Sequence, residues 1–174
     1  MIPIEENKQT IINLLESTNR PDMDKLICKL KASDFFTTPA STKFHLNVPG
    51  GLAQHSLNVY RTFTFICKVA HAKVSQESMI VSGLLHDVCK VGLYIPAGDG
   101  YRYNKSQPDG HGDLSVRRIK HFIALSDQEE MLIRWHMNQY DDDFKNNKQM
   151  LEKVYPEVFL IYFADHISTL FLED

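Results

Sequence analysis

Leu84-Leu85-His86-Asp87-Val88-Cys89-Lys90-Val91-Gly92 sets an imidazole, a carboxylate and an ammonium group in an apolar run that begins near Ser78. On a helix, residues three and four apart are neighbours. A helix through this stretch therefore places His86, Asp87 and Lys90 on one face, with Gly92 as the residue that ends it. An adjacent imidazole and carboxylate are costly to bury in apolar company without a partner. A divalent metal ion satisfies both at once. An isolated His-Asp pair is also common as a hydrogen-bonded buried histidine, and the reverse order recurs at Asp165-His166, so the metal reading depends on the rest of the chain.

The 174 residues suit a single domain, with 1–34 as an N-terminal helical extension packed on a core of 35–174. Hydrophobic residues at 43 % are enough for a real core, and a net charge of −3 supplies no basic field for long nucleic acid. A small phosphorylated substrate remains compatible, because metal ions can provide local positive charge. Cys28, Cys67 and Cys89 form no pairing pattern and read as thiols of a reducing compartment. The opening residues lack a basic region followed by an apolar one, so no signal peptide is expected. The longest apolar run, Val158–Ala164, is too short to cross a bilayer. The expected location is the cytoplasm, with no membrane partner; nothing in the sequence bears on oligomeric state.

Helical spacing runs through most of the chain. Helices are expected over Glu5–Ser17, with Ile11, Ile12, Leu14 and Leu15 inward, and over Met23–Ala32. Phe35–Pro49 reads as an ordered loop anchored by Phe36 and Phe44; it contains His45, which no spacing ties to the other histidines. Gly50-Gly51 opens a long helix to about Ala70, with His55 on its buried stripe and His71 at its end without an assigned role. Leu93–Gly110 has no helical period, and Tyr101, Tyr103 and Lys105 alternate as on a strand, so a small hairpin turning near Asp99-Gly100 is expected. That hairpin is either a self-packed surface feature or a lid whose tyrosines stack on a base and whose lysine meets phosphate.

Beyond it, Asp113 is expected to cap a helix through Ile119 and Ile123, leaving His111 just ahead of the helix and flanked by glycines that allow close backbone approach to a ligand. His121, among basic residues, reads as solvated. A helix over Asp127–Met137 turns Met131, Leu132 and Trp135 inward beside His136, and Asp141–Lys148 reads as a polar loop. Pro156 suits the first position of the last helix, whose Val158–Ala164 is apolar all round and therefore central. Asp165 interrupts that run and needs a cation or several donors. The fold class is an all-α bundle of about six to eight helices with a small β-hairpin or irregular loop near 93–110.

His55, His86, Asp87, His111, His136 and Asp165 thus come from separate segments that the fold must bring together. Imidazoles with carboxylates suit manganese, iron or zinc, with magnesium or nickel as alternatives. Four nitrogens and two carboxylates exceed what one tetrahedral ion needs and cannot saturate two. That arithmetic favours two ions sharing a carboxylate, with open positions for water and substrate.

The pattern His55 … His86-Asp87 … Asp165, with the phrases Gly50–Leu57 and Leu85–Lys90, resembles the HD-domain metal-dependent phosphohydrolase superfamily from about Phe35 onward. His111 and His136 resemble its binuclear branch, which includes cyclic-dinucleotide phosphodiesterases, dinucleoside polyphosphate hydrolases and some exonucleases. The resemblance implies an HD-domain bundle in which His55, His86, Asp87 and Asp165 hold one ion. Asp87 then bridges to a second ion on His111 and His136, Asp87 and Lys90 are catalytic, and Lys90 contacts substrate phosphate; the lid reading of the hairpin, separately, makes Tyr103 and Lys105 further substrate contacts. The chain departs from the branch that has a glutamate in that helix by carrying Lys90, which counts against a mononuclear nucleoside monophosphatase or guanosine-tetraphosphate hydrolase. Cys89 stands where glycine is frequent, and no diagnostic motif of the cyclic-dinucleotide enzymes follows the central pair. The expected activity is hydrolysis of a phosphoester of a nucleotide or related small substrate, a monoester or a diester, by metal-activated water. The competing expectation is a catalytically silent module that binds nucleotide or uses metal for structure.

Overall fold

The computed structural model describes residues 2–108, 110–138 and 143–173. Among them are eight α-helices: α1 (Ile4–Ser17), α2 (Met23–Lys31), α3 (Gly51–Val69), α4 (Gln76–Leu85), α5 (His111–Lys120), α6 (Asp127–Arg134), α7 (Phe144–Val154) and α8 (Val158–Ile167). One antiparallel hairpin, β1 (Tyr94–Ala97) and β2 (Gly100–Tyr103), pairs Tyr94 with Tyr103. The expected helical bundle with a small hairpin is what the chain forms. No helix among the described residues is long and apolar enough to cross a membrane.

Helix α3 is the spine. Its N-terminal half sends Leu52, Ala53 and Leu57 into an apolar cluster shared with α1, α2 and α4, while Val59, Phe63 and Cys67 enter a second cluster with α6, α7 and α8. Its start is held tightly: Gly50 adopts a left-handed φ of 81°, and a side chain at Gly51 would collide with the Leu46 carbonyl and the Ala40 amide. The crossing loop thus seals the top of α3 one turn before His55. Helix α5 is pressed against α6 in the same way, because a Cβ on Gly112 would strike the carbonyl of Arg134. That glycine serves helix packing, not the close approach to a ligand expected from the sequence.

The central stretch is not one helix. Ser75 caps α4 by accepting the Ser78 N–H, but α4 stops at Leu85; Asp87 leaves helical geometry (φ −104°, ψ 17°), and a 3₁₀ turn, Val88–Lys90, follows. Arg118 secures this turn by donating from one guanidinium nitrogen to the carbonyls of Val88, Cys89 and Val91 at 2.9, 3.0 and 2.9 Å. The Gly92 N–H (φ 72°) is taken by the Asp34 carboxylate at 3.0 Å.

Several local expectations are revised. Asp113 lies inside α5 and pairs with Arg134; Gly110 (φ 96°) precedes the helix, which begins at His111 itself and ends before Ile123. Helix α6 ends at Arg134, short of Met137. Most of the expected loop 141–148 is helical, since α7 starts at Phe144; Asp141 and Asp142 lie outside the described residues. Pro156 sits in the turn before α8, which starts at Val158. Helix α8 buries Val158, Ile161 and Ala164 but leaves Phe163 half exposed, so it is amphipathic, not enclosed. Phe44 is 83 % exposed and anchors nothing, and the hairpin turns at Gly98-Asp99, where Gly98 takes φ 58°.

The N-terminal helices are tied to the core by charge as well as apolar packing. Glu129 is fully buried and completes the capping box of α6, while Arg20, in the turn after α1, pairs with both of its oxygens. Burial opposes the Glu129 charge, but hydrogen bonds from Arg20 and the Ser126 amide hold its carboxyl below the ordinary value. Arg20→Met strands this carboxylate and is expected to cost about 3 kcal/mol, read as a lower urea midpoint at pH 7. The pair's contribution is present above the unfolded carboxyl value and fades as pH falls below about 4, so the gap between wild type and variant should narrow in acid.

Candidate metal centre

The six residues singled out from the sequence come together, four histidines around the Asp87 carboxylate and Asp165 beside His55. Asp87 is 2 % exposed, and its two oxygens face different groups. Oδ2 lies 3.5 Å from Nε2 of His55 and 3.5 Å from Nε2 of His86; Oδ1 lies 2.6 Å from Nε2 of His111 and 3.4 Å from Nε2 of His136. Asp165, from α8, approaches His55 Nε2 at 3.3 Å. The imidazoles form a chain around Asp87, with ring centroids 5.3 Å apart for His55–His86, 4.8 Å for His86–His136 and 5.3 Å for His136–His111.

Three of these rings are oriented from behind. His86 donates its Nδ1–H to the Gly83 carbonyl at 2.9 Å and His136 its Nδ1–H to the Ile133 carbonyl at 2.7 Å. Both carbonyls belong to the last turn of a helix, where no further amide claims them. His55 donates Nδ1–H to Glu173 at 2.9 Å, and Asn58 holds the same carboxylate at 2.9 Å. Each ring is thereby turned so that Nε2 faces Asp87. This is the arrangement in which outer-sphere acceptors fix a metal-binding histidine.

The protonation pattern fits the same purpose. Burial, reinforced by the neighbouring imidazoles of His136 and His55, pushes His86 down to about 3, so it is neutral with a free lone pair. Burial also opposes charge on His55, but hydrogen bonds and charges from Asp165 and Glu173 prevail and raise it to about 10. His55 is therefore an imidazolium whose Nε2 proton stands where a cation would. Lys90 Nζ, 2.6 Å from the same Asp87 Oδ2, plays a similar part. Although burial opposes the charge, the Lys90 ammonium and the hydrogen bond with His111 hold the Asp87 carboxyl well below its usual range. His136 Nε2 is left buried without a hydrogen bond, the kind of orphaned atom an ion would satisfy. Among the described residues, His55, His86 and Asp165, then His86, Asp87 and His136, form overlapping groups able to hold metal ions.

Cys89 Sγ is 4.0 Å from Asp87 Oδ1, but burial and that carboxylate push its thiol up to about 12, so it remains protonated. Tyr103 and Lys90 line a cavity of about 950 Å³ that opens above the cluster; Lys105 is exposed and outside its wall. Two contributors escaped the sequence reading. His45 lies 5.0 Å from the His55 ring, with both ring nitrogens buried and lacking a hydrogen bond. Glu173 is 3 % exposed and orients His55. Glu173 had a signal: it closes the apolar run Leu170-Phe171-Leu172, as Asp165 interrupts its own. Neither a family model, nor a curated protein, nor a solved structure matches the chain.

Because Glu173 sets the His55 ring without reaching the cluster's centre, Glu173→Gln is expected to weaken divalent-metal binding about 10–100-fold, measured by competition with a chromophoric chelator. Binding must also displace the His55 proton, so affinity at neutral pH should rise with pH, and calorimetry in buffers of different ionisation enthalpy should show proton release. No dependence on buffer would contradict the placement of that proton.

Proposed function

We propose that the chain is a metal-dependent phosphohydrolase of the HD-domain superfamily, of the binuclear branch, acting on a phosphoester of a nucleotide or related small molecule. The observation that carries this reading is the division of the Asp87 carboxylate, one oxygen toward His55 and His86 and the other toward His111 and His136, at the floor of an open cavity. A purely structural site has little use for open coordination or a substrate-sized void.

In this reading His55, His86, Asp87 and Asp165 hold one divalent ion, and Asp87, His111 and His136 a second; manganese, iron or zinc suits the donors. When bound, such ions supply Lewis acidity toward phosphoryl oxygens and lower the pKa of water toward neutrality. The protein's own groups do the rest. Asp87 keeps both halves of the centre in register. Lys90, relieved of Asp87 as its sole counter-charge, directs its ammonium at the phosphoryl group, where charge on the non-bridging oxygens grows. Water adds to phosphorus, the ester P–O bond breaks, and the leaving oxygen takes up a proton.

The test is a panel of phosphomonoesters, phosphodiesters and nucleotides assayed with Mn²⁺, Fe²⁺, Zn²⁺, Mg²⁺ and Ni²⁺. Turnover dependent on metal and abolished in Asp87→Asn is expected. Metal-loaded protein that hydrolyses none of them would instead leave the catalytically silent module. His111→Ala and His136→Ala should each lose one of two bound ions and nearly all turnover while keeping the helical circular-dichroism spectrum; unchanged metal stoichiometry in both would refute the binuclear assignment. Acidification should release metal, because only neutral imidazole is a ligand.

A further inference from the structure

We propose that the cavity selects an ester carrying a single phosphoryl group on an apolar or aromatic body, and discriminates against di- and triphosphates. The inference rests on the phosphohydrolase reading and narrows its substrate class.

The first ground is charge. All 19 lysines and arginines lie within the described residues, and of these Lys90 alone lines the cavity. Its ammonium is engaged with Asp87, and Glu173, in the same wall and held by His55 and Asn58, adds a further negative charge. Two divalent ions on Asp87 and Asp165 then leave a surplus that one phosphomonoester dianion neutralises. Each further phosphate would enter without the arginine or lysine partners that polyphosphates need.

The second ground is the mouth. Phe44, Val48, Tyr103 and Leu170 are 83, 44, 56 and 63 % exposed, and all four line the cavity. Tyr103 stands against Tyr94 with ring centroids 5.4 Å apart, so the hairpin offers an aromatic wall opposite the loop that carries Phe44. Exposed large apolar groups gathered around one opening mark a binding surface, where scattered ones mean little. A polar floor beneath an apolar rim, with a volume of about 950 Å³, matches a ligand with a charged head and an apolar body. Hydrolysis would release inorganic phosphate and the apolar alcohol, water supplying the new P–O bond and the proton for the leaving oxygen.

Non-hydrolysable phosphonates test selection apart from turnover. With Mn²⁺-loaded protein, calorimetric titration should show phenylphosphonate binding about tenfold tighter than 2-hydroxyethylphosphonate. Phe44→Ser and Leu170→Ser, both at the exposed rim, should erase that preference while leaving inorganic phosphate affinity unchanged. In turnover, kcat/KM for adenosine monophosphate should exceed that for the triphosphate. Equal binding of the two phosphonates, a preference that survives both rim variants, or faster turnover of the triphosphate would overturn the proposal while sparing the phosphohydrolase reading. Failure of inorganic phosphate to bind the metal-loaded protein at all would overturn both.

Discussion

One buried carboxylate organises this protein. Asp87 sits on the floor of the cavity with four imidazole nitrogens and an ammonium directed at its two oxygens. A charge taken out of water at this depth persists only if surrounding groups replace what the solvent supplied. Here the replacement comes from α3, the end of α4, the start of α5, the end of α6 and the 3₁₀ turn. The bundle can be read as the set of helix contacts that delivers those groups to one point: Gly51 lets a loop seal α3 above His55, Gly112 lets α5 close on α6, and Arg118 holds the turn after Asp87.

The same device is used twice to aim a histidine. His86 follows α4 and His136 follows α6, each donating to the carbonyl three residues back. Helix ends leave carbonyls without amide partners, so a histidine placed there obtains a rigid acceptor with no additional residue. This explains why both helices are shorter than their apolar periodicity suggests: extending either would commit those carbonyls to the helix. His55 lies in the interior of α3, where no carbonyl is free, and the chain supplies Glu173 and Asn58 instead. The C-terminal segment is thus coupled to the centre through an ion-paired imidazole.

The positive charges closest to the Asp87 carboxylate are the raised His55 imidazole and the ammonium of Lys90, while His136 Nε2 is buried without a hydrogen bond. A divalent ion held by this cluster would displace those cations. The apolar rim is the complementary feature. Phe44 and Leu170 contribute little to the core from their exposed positions and line the mouth of the cavity.

The helices other than α7, the hairpin and the five segments that carry His55, His86, Asp87, His111, His136 and Asp165 were legible in the sequence, because amphipathic spacing is local and a carboxylate inside an apolar run calls for a partner wherever it lies. Asp87 and Asp165 announced themselves in that way. Tertiary structure alone decided where α4 and α6 break, since those breaks answer to Arg118, Asp34 and the histidines' need for carbonyls, none of which is near in sequence to all that it controls. It alone brought His45 and Glu173 against His55: a loop histidine and a lone glutamate carry no period, and their roles arise from contacts with residues up to 118 positions away. Local chemistry specifies which groups need a partner, but which partner reaches them depends on packing between distant segments.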